Sequence, residues 1–284
     1  MASPARRARL ERAHRREPKK RGRSELSART LAAIPAIAVA VFLIFEGGAV
    51  FALGLFVLGC ICMHELYAMY ARARPVRLAG FIALAGLIAA AYYGTQAQVL
   101  LAAVAALPVV FGLTLIQPRA SVGGMALTLL GIYWIGFASA IAVLLSGLHH
   151  GQGIVVDVLV GTFLGDTGAY LGGHLFGRRP LAPSISPNKT VEGLLIGMVF
   201  AVLGVWIASR YQTWLPGKHA LVLGLGVAVF APVGDLFESF LKREAGVKDS
   251  GTLFGPHGGA LDRLDGALFA IVVGYYIWAA YIHA

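Results

Sequence analysis

The chain has 284 residues, of which 58% are hydrophobic and only 13% charged. Soluble domains carry about 25% charged residues, so this chain could not cover the surface of a soluble globule, and its hydrophobicity equally excludes disorder. Its apolar runs are continuous and do not alternate with polar residues, which excludes a β-barrel and predicts an all-α, polytopic integral membrane protein.

The formal charge of +10 is unevenly placed. Residues 1–30 hold 11 Lys and Arg against three Glu, while the rest of the chain is close to balanced. No aromatic residue is interleaved with these charges to stack on bases, so the tail reads as a cytoplasmic anchor on anionic lipid and not as a nucleic-acid-binding arm. The charged region is also too long for a secretory signal peptide.

Hydropathy then gives nine spans in chain order: Leu31–Phe45, Ala49–Leu66, Leu78–Tyr93, Val99–Ile116, Val122–Leu145, Ile154–Phe176, Val191–Ser209, Ala220–Phe237 and Ala267–Tyr281. Nine spans after a basic start put the N-terminus in the cytoplasm and the C-terminus outside. With that orientation 22 of the 24 Lys and Arg lie inside, and only Arg210 and Lys218 outside, as the positive-inside rule requires. The expected organisation is a basic cytoplasmic tail over 1–30, N-terminal transmembrane helices over 31–146 and a C-terminal catalytic transmembrane region over 147–284. The 36 glycines, Gly161 and Gly165 among them, read as close helix packing and not as phosphate loops.

The first half of the chain is nearly silent. Cys60, Cys62 and His64 alternate, but residues two apart on a helix face different sides, so they read as thiols in lipid or core and not as a metal site. Glu65 is the one acid well inside an early span; it reads either as a structural hydrogen-bond partner or as a remote part of a polar site. His149 and His150 read as solvated loop residues.

Polar residues enter the spans from Asp166 onward. A lone carboxylate costs about 2.5–3.5 kcal/mol at a helix centre, so Asp166 must face a partner or a wet cavity. Arg178 and Arg179 lead to Ser184-Ile185-Ser186-Pro187-Asn188-Lys189-Thr190, a loop dense in hydroxyl and cationic donors, and the helix start after it suits phosphate oxygens. The densest cluster runs from Gly234-Asp235 through Ser239, Lys242 and Arg243 to Lys248-Asp249, then from His257 to Asp265. Helical spacing puts Asp235, Ser239 and Lys242 on one face, and Asp262 with Asp265 on another. Two helices meeting here could bring Asp235 and Asp262 to one hard cation, and carboxylates without thiolates suit Mg²⁺. Lys242, Arg243, Lys248 and Arg263 would hold phosphate charge.

These residues carry a resemblance. Ser239-Phe240-Leu241-Lys242-Arg243, then Lys248-Asp249-Ser250-Gly251, then His257-Gly258-Gly259 with Asp262-Arg263-Leu264-Asp265, resemble the signature of the phosphatidate cytidylyltransferases, the CDP-diacylglycerol synthases. Asp166-Thr167 and Ser186-Pro187-Asn188-Lys189-Thr190 are similar to two further motifs of that family, in the same order. Ala260 and the order Gly255-Pro256 depart from the usual pattern, in loop shape only.

The resemblance implies that CTP and phosphatidic acid give CDP-diacylglycerol and pyrophosphate at a site in the cell membrane that opens to the cytoplasm. It implies catalytic roles for Asp235, Lys242, Arg243 and Asp262. Asp166, Ser186, Asn188, Lys189, Thr190, Ser239, Lys248, His257 and Arg263 are expected to contact substrate. Mg²⁺ is expected on Asp235 and Asp262, with Asp265 and Asp249 as further ligands and room for a second cation. Glu238, on the same helix as Asp235, is expected to matter less. The partners are CTP, phosphatidic acid and the lipid bilayer, with no nucleic acid; a homodimer is left open. Two other readings remain at this point: a CTP-dependent polyprenol or phytol kinase, which would need a base for its alcohol acceptor, and an ion-coupled transporter, which also places acids inside spans.

Overall fold

In lipid each backbone N–H and C=O must be paired within its own segment, so a continuous apolar run becomes a helix. A computed structural model of the chain describes residue 35 and residues 37–118, 121–253 and 258–282. Among these residues there are nine helices: α1 (Ile37–Glu46), α2 (Gly48–Met69), α3 (Arg77–Tyr93), α4 (Gln96–Ile116), α5 (Val122–Gly147), α6 (Gly151–Phe176), α7 (Val191–Ser209), α8 (Gly217–Glu244) and α9 (Leu261–Ile282). Seven are long and apolar enough to cross a membrane; α1 and α3 are shorter. The protein is a polytopic membrane protein, and the sequence spans fall on these helices in order. The basic tail, the start of the first expected span, Arg119 and His257 lie outside the described residues. The described residues from Val41 onward form one compact unit.

Local chemistry sets several helix starts. The first N–H groups of a helix have no partner within it, and a hydroxyl can supply one. Ser121 accepts from Gly124 N at 3.0 Å to open α5, and Thr190 accepts from Gly193 N at 3.1 Å to open α7. At the head of α4, Thr95 and Gln98 form a reciprocal capping box. One turn of α5, Ile132–Gly136, is wound as a π-helix.

Between α6 and α7 the chain forms a hairpin that the sequence reading left as a loop. Strand β1 (Pro180–Ala182) pairs antiparallel with β2 (Ser186–Thr190), with an irregular register between Pro180 and Ala182. Pro187 excludes helix here, and β2 runs directly into the Thr190 cap.

Small residues bring the helices of the second half together. A side chain at Gly197 would strike the Gly165 carbonyl and Ala169 on α6, and one at Gly234 of α8 would strike the Asp265 carbonyl on α9. Backbones approach this closely only where one partner lacks a Cβ. The reading of these glycines as packing residues therefore holds for Gly165, Gly197 and Gly234. At the other end of the bundle, His150 stacks on Trp214 with ring centroids 4.5 Å apart, and Trp278 Nε1 donates to the His149 carbonyl at 2.9 Å. His149 and His150 are exposed in the turn between α5 and α6, as expected, and His150 adds a ring contact to Trp214 there. Such rings suit a membrane–water boundary.

Candidate active site

Residues of α6, the hairpin, α7, α8 and α9 line one cavity of about 770 Å³. Helix α6 supplies Gly161, Asp166 and His174; the hairpin supplies Ser186, Asn188, Lys189 and Thr190. Helix α8 supplies Ala228, Ala231 and Asp235, and the first turns of α9 supply Asp262 and Asp265. The polar groups cluster where α6 and α8 end and α9 begins. Deeper along the same helices the lining turns small and apolar, with Gly161, Ala201, Val227 and Ala228. Pro232, one turn before Asp235, has no N–H, so the Ala228 carbonyl loses its ordinary helical donor at the cavity wall.

The acids at the polar end are not alike. Asp235 faces Lys189 of the hairpin, with Oδ2 2.5 Å from Nζ. Asp265 is near enough to Asp235, Asp166 and Glu238 to feel their charges, and its Oδ1 accepts from Gly266 N at 2.7 Å. Asp262 is committed elsewhere. Its Oδ1 accepts from Lys242 Nζ at 2.7 Å, and its Oδ2 accepts from Ser250 N at 2.8 Å, Gly259 N at 2.7 Å and the Ser250 hydroxyl at 2.9 Å. With both oxygens engaged, Asp262 shapes the turn before α9 and has little acceptor capacity left.

Lys242, unlike Asp262, does not line the cavity. Its Nζ lies between Asp262 and Glu238, 2.5 Å from Glu238 Oε2, and the Glu238 side chain is fully buried. Glu238 is thus the buried counter-charge of Lys242. Arg243 is exposed and uses Nε to donate to the Ile185 carbonyl at 3.1 Å, tying the hairpin to α8. Thr190 lines the cavity, and its hydroxyl accepts the helix-capping bond while keeping its own O–H free to donate. Ser239 is half-buried, and Lys248, Asp249 and Arg263 are exposed; none of the four lines the cavity. Among the described residues no three carboxylates, imidazoles or thiolates stand close enough to form a ready metal cage. Cys60 and Cys62 are free thiols.

Two further carboxylates hold the framework around the cavity. Glu192, which its sequence context does not single out, accepts through Oε2 from the backbone N–H groups of Arg178 and Arg179, at 3.0 and 3.1 Å, and so fastens the start of the hairpin to α7. Glu65, expected either as a structural hydrogen-bond partner or as a remote part of a polar site, is buried on α2 and accepts from donors near Asp262.

The fold is that of a polytopic membrane protein, with a cavity that combines carboxylates and a lysine with an apolar extension along the helices. The model of the cytidylyltransferase family matches residues 27–281. A phosphatidate cytidylyltransferase of Staphylococcus aureus is 36% identical over 256 residues, 87% of this chain and 96% of that protein. One from Helicobacter pylori is 47% identical over 118 residues, 40% of this chain and 43% of that protein. The chloroplastic phosphatidate cytidylyltransferase 4 of Arabidopsis thaliana is 42% identical over 137 residues, 47% of this chain and 35% of that protein. The chain belongs to the cytidylyltransferase family.

Proposed function

We propose that CTP and phosphatidate react in the cavity between α6, the hairpin, α7, α8 and α9. The activity is transfer of the cytidylyl group from CTP to phosphatidate, giving CDP-diacylglycerol and pyrophosphate, as in the relatives of that name. One observation carries the placement: Asp166, Lys189, Asp235 and Asp265, from four elements, meet in a cavity that also has a small, apolar stretch of wall at Gly161, Ala201, Val227 and Ala228. Such a cavity suits a substrate with a phosphate head and hydrocarbon tails.

An oxygen of the lipid phosphate attacks the α-phosphorus of CTP, and the bond to the β-phosphate oxygen breaks to release pyrophosphate. The nucleophile is already an anion at neutral pH, so the step needs charge stabilisation and orientation more than a base. Lys189 supplies a cation at the polar end, and Ser186 and Asn188 beside it supply neutral donors. Arg243 and Glu192 act one step back, by holding the hairpin that carries Lys189.

The donor set fits Mg²⁺. Asp235 and Asp265 reach the cavity from two helices with Asp166 opposite, and Mg²⁺ commonly takes only one or two carboxylates together with substrate phosphates. These residues would hold it, in preference to the hydrogen-bonded Asp262, and it would supply charge neutralisation at the phosphates. The polar end is assigned to the cytoplasmic side by the distribution of Lys and Arg.

The test is turnover by purified protein in detergent with CTP, Mg²⁺ and phosphatidic acid, then with a polyprenol in place of the lipid phosphate. The expected result is pyrophosphate and CDP-diacylglycerol from the first mixture and no product from the second. CDP release with the polyprenol would instead identify a kinase.

A further inference from the structure

We infer that Glu65, on a helix outside the cavity, is a positioning residue for the transfer reaction: its carboxylate fixes the turn that places Asp262 and Asp265. This rests on the assignment of the cavity as the reaction site. Glu65 is 7% exposed and lies in α2, within the half of the chain that is otherwise nearly devoid of polar groups. Its Oε1 accepts from Ala260 N at 3.0 Å, and its Oε2 accepts from Leu261 N at 2.9 Å. The Ser250 hydroxyl lies 3.1 Å from the same Oε2.

Leu261 is the first residue of α9, so Glu65 caps that helix from another part of the chain. The first N–H groups of a helix are unpaired and carry partial positive charge, and a carboxylate there is stabilising. Asp262 binds the same turn from within, through Ser250 and Gly259. The Ser250 hydroxyl stands between the two carboxylates.

A second observation points the same way. A Cβ on Gly251 or on Gly259 would overlap the Glu65 carboxylate, so both glycines leave room for Glu65. Two glycines of the long sequence motif thereby acquire a physical reason that lies in α2. Asp265 follows Leu261 by about one helical turn, so a shift of the first turn of α9 moves it directly.

The experiment compares wild type with Glu65→Gln, Ser250→Ala and two variants at Gly259. Glu65→Gln keeps the shape but turns one acceptor into a donor facing Leu261 N. Outer partners of functional groups typically contribute about 10–100-fold, and a loss of that size in kcat is expected, with KM for CTP nearly unchanged. Ser250→Ala should show a smaller loss of the same kind. Gly259→Ala should be strongly impaired alone but add little in a Glu65→Ser background, where the overlap is relieved. Wild-type kcat in monodisperse Glu65→Gln protein would overturn the inference. So would a Gly259→Ala penalty that is equal in both backgrounds, a comparison that still decides if Glu65→Gln does not fold. An inactive wild type would instead count against the reaction assigned to the cavity.

Discussion

Lys189 on the hairpin and Asp235 on α8 meet at 2.5 Å across the mouth of the cavity, and both side chains remain about a third exposed. Although the side chains are partly exposed, the pair is shielded at its Lys189 Nζ end. Its value lies in placement, since it holds a cation and an anion where a triphosphate must arrive. Asp235→Asn removes the charge and keeps the size. Losing one electrostatic group at a reaction centre typically costs about 10²–10³ in kcat, and that loss is expected here with an almost unchanged melting temperature. Lys189→Met should raise KM for CTP as well as lower kcat. Steady-state kinetics on thermally intact protein check both, and near-normal turnover by Asp235→Asn would remove Asp235 from the site.

Lys242 gives the opposite expectation, because its partners are buried. Glu238 is fully buried and Asp262 nearly so, and one ammonium serves both. Removing one member of a buried ion cluster leaves uncompensated charge and costs about 3–5 kcal/mol. Lys242→Met should therefore lower the melting temperature sharply. The double variant Lys242→Met/Glu238→Gln should recover part of that loss, because the orphaned carboxylate is neutralised. A melting temperature in Lys242→Met equal to wild type would show that the three groups do not form a structural unit.

The helices were legible because lipid leaves the backbone no alternative. The run Val191–Ser209 is helix α7 to the residue, and Val122–Leu145 differs from α5 only at its end. Convergence of the three polar clusters was legible as well, since acids such as Asp166 and Asp235 have no place in a span that faces lipid. What each charged group does there was not legible. Asp262 is held by Ser250, Gly259 and Lys242, and two of those contacts are to backbone groups that no side-chain pattern displays. Glu65 lies 195 residues before Ala260, the N–H that it holds. The hairpin was missed because its strands are three and five residues long, with a proline in the second.

Arg243 separates a direct role from an indirect one. If it acts by tying the hairpin to α8 through Nε and the Ile185 carbonyl, the geometry of the donor matters and the charge does not. Arg243→Lys should then be nearly as impaired as Arg243→Ala, both chiefly in KM for CTP. Stability should change by no more than about 0.5 kcal/mol, as for other surface substitutions. Substantial rescue by lysine would mean that Arg243 meets phosphate as a charge.

The orientation in the membrane can be tested at two points. Glu65, near the end of α2, binds the start of α9, and the Tyr70 hydroxyl donates to the Leu241 carbonyl near the end of α8 at 2.8 Å. These contacts put the end of α2, the end of α8 and the start of α9 on one side, together with the hairpin. The same side collects Arg72, Arg74, Arg77, Lys242 and Arg243, whereas Trp214, Trp278 and His149 meet at the other end of α9. Excess Lys and Arg mark the cytoplasmic face, so the polar end is expected on the cytoplasmic side, where the proposed substrate CTP is found. A reporter inserted after Ser184 should read as cytoplasmic, and one fused after Ala284 as external, because α9 crosses from one face to the other. If both report the same side, α9 does not cross; if both are reversed, the cavity opens away from its nucleotide.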